Sequence, residues 1–118
     1  MITHLHTGWA WVVIIGNAIA GAWCLGAHWW PPLRVRMLWA FVVFMELTIF
    51  VEVGLGVYMI AVEGIAAPPL HNFYGFISIV SVAILYGYRT QVRAWQYLLY
   101  GCGGLFLMGL GIRALLLA

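Results

Sequence analysis

Long apolar stretches separated by short polar or proline-bearing breaks make up this chain. The breaks fall at Trp30-Pro31-Pro32, at Gly64 through Pro68-Pro69, and at Arg89 through Arg93. They mark out spans over about 5–29, 36–62, 70–88 and 94–117. Each approaches or exceeds the roughly 20 residues that cross a bilayer core as a helix. None of the stretches alternates with the period of two that a membrane barrel strand needs, and in lipid only helices and closed barrels satisfy the backbone. The pattern predicts an all-α integral membrane four-helix bundle, with residues 1–118 forming one domain.

Composition excludes the soluble alternatives. Hydrophobic residues make up 66% of the chain and charged residues 7%, against roughly 25% charged in soluble domains. Too little polar surface is present to cover a globule in water. The first stretch does not read as a cleaved signal, because no basic residue precedes it and comparable stretches follow. Cys24 and Cys102 fall inside spans and fit no metal or disulfide pattern, so both read as small apolar packing residues. The arginines mark span boundaries and form no patch for nucleic acid.

Arg34 and Arg36 lie between spans one and two, and Arg89 and Arg93 between spans three and four, which places both pairs on one side. The other side holds Arg113 and Glu63. The positive-inside rule then predicts cytoplasmic arginine loops and both termini outside. A bacterial plasma membrane is the expected location. Trp9, Trp11, Trp29, Trp30, Tyr58, Tyr74, Tyr86, Tyr88, Trp95 and Tyr97 gather near span ends, as interfacial aromatics do. Gly16–Ala20 and Ala18–Ala22–Gly26 give span one small-residue faces for close packing, Gly54 and Gly56 do the same for span two, and span four is rich in glycine.

Against this background the polar residues within spans stand out. His6 and His71 open spans one and three, which run in parallel, so the two imidazoles share a depth near the outer face. Two neutral imidazoles across a bundle are the usual grip on a haem iron. His4 is an alternative to His6, and a copper or zinc site would draw a further ligand from His4 or Glu63. The competing reading is of interfacial histidines with no ligand. His28 belongs to the opposite end and reads as an interfacial residue.

Glu46 and Glu52 lie near the middle of span two, where a carboxylate is expensive and usually functional. On a continuous helix Glu52 and Glu63 fall within about 20° of each other, roughly 16 Å apart along the axis, with Glu46 turned about 120° away. Asn17, at mid-depth in span one, is a candidate hydrogen-bond partner for one carboxylate. Proton relay, tuning of a haem edge and interhelical hydrogen bonding are all open to these acids.

The segment Glu52-Val53-Gly54-Leu55-Gly56-Val57-Tyr58-Met59-Ile60, followed by Gly64, Pro68-Pro69 and His71, resembles one half of the haem A synthase family. That half has a Gln-x-x-Leu-Gly segment late in one helix, a proline-bearing outer loop and a haem-ligating His opening the next helix. The resemblance covers residues 5–89 and implies a haem-binding half-bundle with His6 as the second ligand and the haem toward the outer face. The chain departs from the family where Thr7 stands for Arg, Thr3 for Glu and Glu52 for Gln, and it has neither the second half nor the loop cysteine pair. The resemblance therefore implies a haem site and not the synthase reaction.

The leading expectation is a small cytochrome-like membrane protein holding b-type haem (haem b) between His6 and His71, as a subunit of an electron-transfer complex. The alternative is a cofactor-free accessory subunit of a respiratory or photosynthetic complex. A proton-coupled transporter component using Glu46 and Glu52 would need to oligomerise. An enzyme acting alone is least expected, because no nucleophile–base pair or phosphate loop is present. The lipid bilayer and a larger membrane complex, or further copies of this chain, are the expected partners.

Overall fold

The computed structural model describes residues 2–117, with side chains from residue 4. Four helices account for most of it: α1 (Ile2–Trp29), α2 (Arg36–Ala61), α3 (Pro69–Tyr88) and α4 (Gln96–Leu116). All four are long and apolar enough to cross a membrane. The molecule measures 48 × 24 × 20 Å, and its long axis matches the roughly 40–45 Å of a bilayer with its headgroups.

Local chemistry sets the helix ends. Pro31–Leu33 forms a single 3-10 turn after α1, and Arg34 then donates to the Ala27 and His28 carbonyls at 2.7 and 2.8 Å. Those acceptors belong to the last turn of α1, whose carbonyls have no partner within the helix. At the far end of α2, Gly64 takes φ +69°, a left-handed conformation suited to glycine, and the Ile65 N–H turns back to the Met59 carbonyl at 3.0 Å. The helix has stopped by Glu63, so the wheel that put Glu63 on the Glu52 face does not apply. Pro69 opens α3 after Pro68. Its ring sets the backbone angle of a first helical turn and lacks only an N–H that would have no partner there.

α1 is the central helix. It packs most extensively on α4 and also on α2, while α3 leans on α4 and touches α2 only lightly. The α1–α4 seam is a glycine contact. A Cβ on Gly104 would lie 2.9 Å from the Gly21 Cα, and a Cβ on Gly21 would lie 2.8 Å from the Leu105 backbone nitrogen. Without lipid-excluded hydrophobic drive, such close backbone approach is what holds membrane helices together. Of the small residues singled out from sequence, Gly16 leaves room for the Met45 side chain, but Ala22 and Gly54 are exposed and close no seam. Cys24 is fully buried and Cys102 is exposed, and neither is paired. Trp9 donates from Nε1 to the Thr48 carbonyl at 2.9 Å, tying α1 to α2 in register.

Candidate functional site

At the end of the bundle opposite the arginine loops, three helices bring His6, Glu52 and His71 together. His6 lies in the second turn of α1, since that helix begins earlier than the apolar pattern suggests. Its Nδ1 is 2.8 Å from Glu52 Oε1, with both side chains largely buried. The ring N–H is not aligned on that oxygen, so the contact is a close approach without a linear hydrogen bond, and Oε2 has no partner among the described residues. A carboxylate in such a place is costly unless a positive or donor group faces it. His6 is that group.

His71 sits in the first turn of α3, held by the Pro68-Pro69 entry and by the Asn72 N–H to the Pro68 carbonyl. Its Nδ1 lies 2.6 Å from the Ala114 carbonyl. That carbonyl is in the last turn of α4, where carbonyls run out of partners within the helix. A carbonyl only accepts, so Nδ1 carries the proton, and in the neutral ring Nε2 then has the lone pair. His6 turns its Nδ1 to Glu52 in the same sense. His71 is thus anchored through one nitrogen and can offer the other, the arrangement that outer partners impose on metal-binding histidines, and His6 has one nitrogen turned to a carboxylate side chain.

The two imidazole centres are 6.1 Å apart with their planes at 75°. Gly56 lies against His6: a Cβ there would come 3.3 Å from Cε1 and 3.7 Å from Nε2. The absence of a side chain keeps the free edge of the His6 ring open. Arg113 is one residue before Ala114, with its Nη2 3.4 Å from the Tyr74 hydroxyl and its guanidinium over the Tyr74 ring. Arg113 thus puts a cation at the histidine end.

Other sequence candidates fall elsewhere. His4 is exposed and joins no cluster, and no group of three or more His, Cys, Asp or Glu side chains suited to a metal ion exists among the described residues. Neither His4 nor Glu63 supplies the third ligand that zinc or copper would need. Asn17 is buried, but its Nδ2 donates to the Val13 carbonyl at 2.8 Å on its own helix and not to a carboxylate. Glu46 lines a separate cleft toward the arginine end, which His6, Glu52 and His71 do not line. His28 packs between Trp29 and Trp95, with ring centres at 4.7 and 5.8 Å.

Sequence reasoning did not find the Ala114 carbonyl or the place of Arg113. A backbone carbonyl has no side-chain signature, while Arg113 was visible as the lone cation of its end. Gly56 was read for helix packing, and its actual neighbour is a histidine.

The fold defines a small helical membrane bundle with a paired-histidine site at one end. No family model, no curated protein and no solved structure matches the chain. The likeness to haem A synthase rests on the residues quoted above and receives no support from these comparisons.

Proposed function

We propose that this protein binds b-type haem between His6 and His71 and serves as an electron-carrying subunit of a membrane complex. The carrying observation is the 6.1 Å between the imidazole centres. Two imidazoles that shared one metal, each through a bond of about 2 Å, would have their ring centres at a comparable separation. The anchoring of His71 Nδ1 on the Ala114 carbonyl fits the same use. When bound, haem supplies one-electron transfer at a potential set by its axial ligands and their surroundings.

The chain's own residues have distinct parts in this reading. Glu52 orients His6 and makes its ring a stronger donor, and the Ala114 carbonyl does the same for His71. Gly56 leaves space beside His6. Arg113 is placed to pair with an acidic arm of the porphyrin. With the arginine loops on the cytoplasmic side, as the positive-inside rule favours, this end of the bundle would face the outer side of a plasma membrane.

The test is haem content of the purified protein, measured as a pyridine haemochrome and normalised to protein. One haem per chain is expected, lost in His71→Ala and in His6→Ala and retained in His28→Ala. Folded protein that carries no haem after expression with ample haem supply would end this reading and leave the accessory-subunit alternative.

A further inference from the structure

A second polar site lies toward the arginine end, independent of the histidine pair. It is a cleft of about 360 Å³ between α2, α3 and α4, lined by Trp39, Glu46, Tyr86, Arg93, Gln96 and Tyr100 among others. The volume is within the range of small-molecule sites, roughly 300–1,000 Å³. Glu46 lies ten residues into α2, roughly 15 Å from its start by helical rise. It lines the cleft, and its Oε1 is buried with no hydrogen-bond partner among the described residues. Stabilisation of this carboxyl group has to come through the cleft.

The other polar groups are already sorted. Arg89 donates to the Tyr86 carbonyl at 2.7 Å and stacks on the Tyr86 ring, and the Tyr100 hydroxyl donates to the Leu85 carbonyl at 3.2 Å. Arg93 and Gln96 have no side-chain hydrogen bond among the described residues, so their donors remain for a ligand. The cleft is open sideways as well. α2 and α3 touch only lightly, and Val43 and Tyr86 on the rim are more than half exposed where lipid would lie.

A fitting ligand must therefore be lipid-soluble and flat enough for aromatic walls. It must offer a hydrogen-bond donor to Glu46 and, across the ring, an acceptor toward Gln96 and Arg93. An ester carbonyl offers acceptors alone and answers Glu46 only when it is protonated, whereas a hydroquinone answers the ionised carboxylate as well. We propose that this cleft binds a lipid-soluble hydroquinone that enters between α2 and α3, with its ring among Trp39, Tyr86 and Tyr100. One hydroxyl donates to Glu46, the opposite oxygen accepts from Gln96 and Arg93, and the apolar tail stays in the bilayer. A carboxyl group can accept when ionised and donate when protonated, so it also suits the carbonyl form of the same ligand.

The test uses the full chain in phosphatidylcholine nanodiscs, titrated calorimetrically without oxygen. The probes are decyl-1,4-benzohydroquinone and its 1,4-dimethyl ether, which keeps the acceptors and loses both donors. Saturable hydroquinone binding is expected, weakened at least about tenfold by methylation and by Glu46→Leu, the cost of leaving a buried polar group unpaired. Val43→Trp, which fills the lipid-facing rim, should weaken it likewise, and it carries the test alone if Glu46→Leu yields no folded protein. His4→Ala, at an exposed position outside any cluster, should leave the affinity unchanged. Titration no different from empty discs, equal binding of the ether, or full affinity in either folded cleft variant would overturn the proposal.

Discussion

At the scale of single residues, the site depends on which imidazole nitrogen each histidine commits to protein. His71 spends Nδ1 on the Ala114 carbonyl at 2.6 Å, and His6 turns Nδ1 to Glu52 at 2.8 Å. Removing such an outer partner costs roughly 10- to 100-fold in metal affinity. Glu52→Gln is therefore expected to retain haem on preparation but lose it to apomyoglobin much faster than the parent. Its midpoint potential should shift upward, because a weaker His6 donor stabilises the oxidised iron less; a redox titration followed by absorbance measures this. Gly56→Leu should prevent haem uptake while leaving helix content unchanged by circular dichroism, because the space beside His6 Cε1 and Nε2 is filled. The histidines and Glu52 were legible in the sequence as scarce polar residues in apolar surroundings. The pairing of Glu52 with His6 was not, since the helical wheel pointed to Glu63 and could not show that Gly64 ends the helix before Glu63 joins that face.

At the scale of helices, the ends were readable because prolines, arginines and glycine punctuate them, and each acts through local backbone chemistry. The order of packing was not. A helix bound for lipid is apolar all round, so no amphipathic stripe announces which neighbour it meets. The α1–α4 seam shows the difficulty: Gly21 and Gly104 touch backbone to backbone, yet span four has no pair of glycines at four-residue spacing. Gly104→Leu should separate α1 from α4 and cost at least about 2 kcal/mol, in the range of severe overpacking. Gly109→Leu on the same helix meets nothing within 4 Å and should be near neutral. Thermal unfolding in detergent, compared across the two variants and the parent, reads the difference. Loss of the seam should also release haem, because α4 carries the carbonyl that holds His71.

At the scale of the whole molecule, two polar sites occupy different ends of a bundle with few other polar groups inside it. In the proposed orientation the Glu46 cleft lies toward the cytoplasm and the histidine pair toward the outside. With Cys24 and Cys102 replaced by Ala, Thr90→Cys should react with a membrane-impermeant maleimide only in inverted vesicles, and His4→Cys only in right-side-out cells. The central claim, that His6 and His71 grip one haem iron from opposite faces, is tested most directly by low-temperature electron paramagnetic resonance of the oxidised protein. Two imidazole ligands predict a low-spin ferric signal. The 75° between the ring planes further predicts the single, strongly low-field-shifted feature of crossed imidazoles. A high-spin ferric signal from the folded, haem-loaded protein would contradict the account.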